Sequence, residues 1–113
     1  AQGLNLMNGP GNDICADTNL TAAGCQLILF TTGRGTPLGG PAPTLKVATN
    51  SSLATRKPHW IDFDAGRLLT GTDLPTLAEA LFDQVLAVAG GERTQNELYG
   101  YRQIAIFKDG VTM

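Results

Sequence analysis

Apolar residues along the chain fall into four short runs and one long periodic stretch. Leu4-Asn5-Leu6-Met7 is closed by Gly9-Pro10-Gly11. Gln26 to Thr32, carrying Leu27-Ile28-Leu29-Phe30, has the continuous branched and aromatic character of a central parallel strand buried on both faces. Leu45 to Thr49 and Trp60 to Phe63 are the third and fourth runs. Between the first two, Asp17 can cap a short helix to Gly24 whose Leu20, Ala23 and Gly24 face the sheet. Between the third and fourth, Asn50 or Ser51 can cap a helix from Ser52 to Lys57 that Pro58 stops. The longest helix starts from a capping box at Thr76-Leu77-Ala78-Glu79. Leu77, Leu81 and Val85 form one apolar row, and Ala78, Phe82, Leu86 and Ala89 an adjacent one, before Gly90-Gly91 ends it. Both rows are expected in the core. A second box, Thr94-Gln95-Asn96-Glu97, predicts a short helix or turn, and Gln103 to Phe107 an edge strand. This alternation predicts an α/β fold: a three-layer Rossmann-like domain with a mainly parallel sheet of four or five strands.

Length and charge narrow the picture. The 113 residues allow one domain, spanning 1–113. With 42% apolar and 16% charged residues and a net charge of -2, the chain is neither a disordered acidic tail nor a basic nucleic-acid binder. No apolar run approaches the roughly 18 residues that cross a bilayer, so the expectation is a soluble protein with no membrane partner. Cys15 and Cys25 are too few for a disulfide scaffold and, with the single His59, cannot complete a four-ligand zinc site. They read as small buried hydrophobes in a reducing cytoplasm. The start Ala1-Gln2-Gly3, without an initiator Met, reads as a piece of something longer.

Fourteen glycines and six prolines exceed average usage, and many of them follow the predicted strands. Four polar loops do so: Asn8 to Asp13, Thr31 to Thr36, Thr49 to Ser52, and Asp62 to Gly66. In open α/β sheets ligands bind beyond the carboxyl ends of the strands, so these loops are expected to share one rim. Thr31-Thr32-Gly33-Arg34-Gly35-Thr36 is the sharpest signal. Glycines let backbone amides approach an anion, and an Arg fork holds a carboxylate or phosphate through two bonds. The segment opens like a dinucleotide fingerprint, but Pro37, Pro41 and Pro43 exclude the helix that must follow, and a phosphate-loop Lys-Ser/Thr is missing. The alternative is a plain turn with a solvated Arg34. Asp13, Asp62 and Asp64 could bind a metal or accept a hydroxyl, and equally could serve as caps or turn residues. Histidine is the residue type that exchanges protons near neutrality. His59, beside Pro58 at a strand start, is expected on the rim away from these loops.

The block Phe30-Thr31-Thr32-Gly33-Arg34-Gly35-Thr36-Pro37, with Gly9-Pro10-Gly11-Asn12-Asp13, Lys46-Val47-Ala48-Thr49-Asn50-Ser51 and Trp60-Ile61-Asp62-Phe63-Asp64-Ala65-Gly66, resembles the C-terminal domain of the altronate/galactarate dehydratase family. The ending Asn96-Glu97-Leu98-Tyr99-Gly100-Tyr101 is more similar to the altronate branch. One departure is Ile14-Cys15-Ala16 after Asp13. The resemblance implies a hydro-lyase that removes water from a hexonic or hexaric sugar acid to give a 2-keto-3-deoxy acid. It also implies a divalent metal, iron or manganese, and further domains in the same polypeptide. Under it, Arg34 with the Gly33 and Gly35 amides would hold the substrate carboxylate or hydroxyls. Thr31, Thr32, Thr36 and Asn50 would line the same site, and Asp13 and Asp64 its rim. The general base and most metal ligands would lie outside this chain, leaving it inactive alone. Alternatives are a sister lyase on another 2-hydroxy acid, such as sulfolactate, and a non-catalytic anion-binding or assembly module. A homo-oligomer is compatible with either.

Overall fold

A computed structural model describes residues 2–106. Its elements run α1 (Asp13–Ala22), β1 (Ile28–Thr32), β2 (Thr44–Ala48), α2 (Ser51–Arg56), β3 (Phe63–Asp64), a 3₁₀ segment (Ala65–Thr70), α3 (Leu74–Ala89) and α4 (Gln95–Leu98). The three strands form one parallel sheet in the order β1-β2-β3, with Ile28 opposite Thr44 and Val47 opposite Phe63.

The α/β class and parallel pairing agree with the sequence reading, but the described residues form three strands rather than four or five. Leu4 to Met7 is irregular, with Leu4 and Leu6 almost fully exposed, because no strand among the described residues takes up its backbone groups. Gln103 to Ile106 is also irregular. Two of its amides bond to separate partners, Gln103 N donating to Gly39 O (2.7 Å) and Ala105 N to Thr18 Oγ1 (3.0 Å), and these make no ladder. Phe107, the last residue of that predicted strand, lies outside the described residues. The run Gln26 to Thr32 does not sit at the centre. β1 is an edge strand with Leu29 half exposed, and β2 is the central strand, buried along its length.

Alternation along β2 separates two layers of unlike chemistry. Leu45 and Val47 join Phe63, Leu77 and Val88 in the apolar core under α3. On the opposite face Ala48 meets Leu53 and Ile61 beneath α2, while Thr44 and Lys46 are buried polar residues. Thr44 Oγ1 donates to Asp17 Oδ2 (2.9 Å), which places α1 on that side. Asp17 is therefore a buried mid-helix residue and not a cap. The cap is Asn12, whose side chain accepts from Cys15 N. Of the cysteines only Cys15 is buried; Cys25 lies exposed beyond the end of α1.

α2 starts as expected, with Asn50 as its cap, and α4 closes the Thr94/Glu97 box in both directions. α3 begins two residues before Thr76. Asp73 caps it and Pro75 sits in the first turn, where its missing N–H is not needed. Its inner row packs on the sheet, but Phe82 and Leu86 of the row expected in the core point outward, because only one side of this helix meets the sheet.

Candidate functional site

The carboxyl ends of the three strands bring together the loops on which the sequence reading converged. β1 ends at Thr32, whose Oγ1 accepts from Gly35 N (2.9 Å) and bends the chain into a tight turn. Gly35 has φ +86°, and a Cβ there would crowd Leu53 and Trp60, so glycine is required on both counts. Thr32 O accepts from Thr49 N (3.0 Å), and Gly33 O accepts from Asn50 Nδ2 (3.0 Å), so the turn after β1 is fastened to the turn after β2. The third loop closes against both. Asp64 caps the 3₁₀ segment through Gly66 N (2.8 Å), and a Cβ on Gly66 would overlap the Asn50-Ser51 backbone. Asn12 and Asp13, at the start of α1, line with Thr36, Pro37, Leu38 and Gln103 an open cleft of about 340 Å³ past the end of the Gly/Arg turn.

Each predicted residue can now be placed. Thr31 and Arg34 are exposed, and the Arg34 guanidinium makes no hydrogen bond or ion pair among the described residues. Gly33 lies against Thr49 Oγ1. The Gly35 amide is engaged by Thr32, which makes it a structural donor in this conformation. Thr36 Oγ1 accepts from Leu38 N (3.2 Å). Asn50 is committed at both ends of its amide, accepting from Leu53 N (2.8 Å) while donating to Gly33 O. Asp13 is exposed in the first turn of α1, and Asp64 is a cap. Trp60 packs beneath Gly35, and His59 stands edge-on to Trp60 (5.5 Å) and to Tyr99 (5.9 Å).

Lys46 was not singled out from sequence. It is completely buried in β2, and its Nζ donates to Thr36 O, so a buried ammonium anchors the far end of the Gly/Arg turn. Burial lowers its pKa from 10.5 to about 8, against the opposing pull of the Asp62 carboxylate. Asp62 accepts from Lys46 N (2.8 Å) and Gln95 N (2.7 Å), and burial raises its pKa above the ordinary value. Both residues shape the site from behind. Arg67, next to this edge, holds Asp64 O through Nε (3.1 Å) and lies over the Phe63 ring. Strand alternation could have flagged Lys46, since it shares a face with Thr44 and Ala48. What the sequence did not carry was that this face is covered by α1 and the 33–43 connection.

A metal is a separate question. Among the described residues no three His, Cys, Asp or Glu side chains cluster as a ligand set. Asp64 spends Oδ1 on its cap, and the described carboxylates do not by themselves make a ligand set for a divalent ion.

Residues 1–112 match the family described as D-galactarate/Altronate dehydratase, C-terminal. The chain belongs to this family. It is 54% identical to altronate dehydratase of Escherichia coli (strain K12) over 98% of its own length. The corresponding identity to altronate dehydratase of Bacillus subtilis (strain 168) is 48% over 99%. To the L-threo-forming galactarate dehydratase of Escherichia coli it is 36% over 94%. The chain spans about a fifth of the length of each of these relatives, 22%, 23% and 21% respectively. Among the described residues no helix is long and apolar enough to cross a membrane.

Proposed function

We propose that this domain forms one wall of the substrate site of a hydro-lyase that dehydrates a sugar acid, altronate in preference to galactarate, to a 2-keto-3-deoxy acid. The observation that carries the reading is the exposed Arg34, unpaired among the described residues, on a turn held in place by Thr32, Asn50 and Lys46, at the carboxyl edge of a parallel sheet. Altronate is preferred because the two altronate dehydratases are closer in sequence than the galactarate enzyme.

Dehydration removes the proton α to the substrate carboxylate and expels the β-hydroxyl, so negative charge builds on the carboxylate as an enediolate. A fixed cation at that position stabilises the transition state more than the ground state. Arg34 is suited to this, because its planar fork matches a carboxylate and never loses its proton. Thr31, exposed on the same strand end, offers a hydroxyl to the polyol chain. Gly33 allows close approach, and Asn50 holds its carbonyl aside. Asp13 borders the cleft beside Thr36, where it can accept a substrate hydroxyl. The base that removes the α proton, and the ligands of the divalent metal expected for the full-length enzyme, are assigned to other parts of the polypeptide.

The test is Arg34→Ala in the full-length dehydratase, with 2-keto acid formation from altronate and galactarate as the readout. Losing a charge-paired anchor costs about 2–5 kcal/mol, so kcat/KM should fall by about 30-fold or more. Unchanged turnover of both sugar acids would rule the reading out and favour an anion-binding or assembly role.

A further inference from the structure

α3 has two apolar sides, of which the described residues cover one. Leu77, Leu81, Val85 and Val88 pack on the sheet, yet Leu74, Phe82 and Leu86 remain 63%, 61% and 54% exposed. Leu68 and Leu69 of the adjoining 3₁₀ segment are exposed as well, Leu69 to 81%. Between the two elements runs an apolar groove of about 210 Å³, lined by Ala65, Leu68, Leu74, Leu77, Ala78 and Leu81. From Leu74 to Leu86 the outward side chains extend about 18 Å along the helix axis. Single exposed apolar residues are ordinary on a protein surface, but a continuous face with its own groove marks a contact site.

We propose that this face of α3 and the 3₁₀ segment is the seat of another domain of the same dehydratase polypeptide. Two observations select that occupant. First, about four-fifths of each relative lies outside the matched region, so most of such a polypeptide is available to cover the face. Second, the only charged residues within α3 are Glu79 and Asp83, with Asp73 capping it. Arg67, the one cation of the 3₁₀ segment, is turned back onto Asp64 O and the Phe63 ring, so two copies meeting face to face around Phe82 would set the carboxylates of α3 against carboxylates, which disfavours a self-contact. The matching surface is apolar at its centre and rimmed by Lys or Arg. Position adds a consequence: the 3₁₀ segment follows Asp64 directly, so a domain seated against Leu68 and Leu74 stands beside the carboxyl edge that carries Arg34. Docking here is independent of whether Arg34 holds a sugar acid.

The experiment uses the full-length dehydratase. Phe82→benzoylphenylalanine is prepared in isotopically light and heavy chains, which are mixed, irradiated and digested for mass spectrometry. In parallel, hydroxyl-radical oxidation of Phe82 is followed in the unsubstituted enzyme, native and denatured. The expected result is cross-links from position 82 to residues outside this domain, light to light and heavy to heavy only, with Phe82 oxidised several-fold more slowly in the native enzyme. Light-to-heavy cross-links would assign the face to contact between copies and overturn the proposal. So would cross-links confined to this domain, or oxidation of Phe82 as fast in the native as in the denatured enzyme.

Discussion

Lys46 is the residue on which the sheet and the turn both depend. A lysine ammonium inside a strand with no exposed surface is costly unless its protons are taken up, and here Thr36 O takes one. Its lowered pKa makes the cost measurable. Below about pH 8 the group is protonated in both folded and unfolded states, and the folded state carries the whole penalty. Above 10.5 it is neutral in both and the penalty is gone. Between these values the unfolded state binds more protons, so stability rises with pH. Denaturant titrations across this window should show a rise that disappears in Lys46→Met. Parallel pH profiles for the two chains would refute the buried-ammonium account. The carboxylates shift the other way: burial raises Asp17 and Asp62, so each favours the folded state more as pH falls toward the ordinary carboxylate range. The burial of these three is not evident from residue type, because Lys and Asp are ordinarily solvated even beside apolar neighbours.

Elements whose ends rest on local chemistry were legible in the sequence. Asn50 and Thr94 cap their helices because a side-chain oxygen reaches an amide two or three residues ahead, whatever the rest of the fold does. At α3 the Thr76 box competed with Asp73-Leu74-Pro75, and the earlier start won because Asp73 takes the Thr76 amide and Pro75 fits the first turn. The 33–43 connection shows the opposite case. It joins neighbouring parallel strands without a helix, and its Leu38, Gly39, Gly40 and Ala42 are buried. Gly39 lies so close to Tyr101 O that a Cβ would overlap it, and Gly40 stands in the same relation to the Asp17 carboxylate. Gly39→Ala should therefore destabilise the chain by about 1–3 kcal/mol, since backbone must move to admit the methyl group. Gly11→Ala is the control. Its Cβ meets nothing within 4 Å, and the change should stay within about 0.5 kcal/mol. Equal midpoints for the two variants in urea would show that the close approach at Gly39 is not needed.

At the scale of the whole molecule, the domain presents a shaped edge and an uncovered apolar side. On the proposed reading the edge supplies Arg34, Thr31 and Asp13 while the base and the metal ligands are assigned to other parts of the polypeptide, so the domain should bind but not convert a sugar acid. The purified 113-residue chain should yield no 2-keto acid from altronate or galactarate, assayed with and without added iron or manganese. Turnover at the rate of the full-length enzyme would place the entire catalytic machinery in this chain. The uncovered side also separates two classes of substitution on one helix. Leu77→Ala removes a core contact and should cost about 2–5 kcal/mol in this chain, whereas Leu86→Ala should change its stability by about 0.5 kcal/mol or less. Comparable losses in chemical denaturation would mean that both sides of α3 are covered.

Several features were determined by the sequence alone. The α/β class, the parallel pairing, the caps at Asn50 and Thr94, and the Gly/Arg turn as the site to examine follow from periodicity and from contacts between residues a few positions apart. The long block around Arg34 also carried the family. Tertiary structure decided which strand is central, which side of α3 is covered, and which polar residues are buried. Those outcomes depend on contacts between residues far apart in sequence: Asn96 Nδ2 donates to Thr44 O, Asp62 accepts from Gln95 N, and Lys46 is enclosed beneath the 33–43 connection. Hydrophobic periodicity reports that a face is apolar, but burial requires a partner surface, and for the outer face of α3 the described residues provide none.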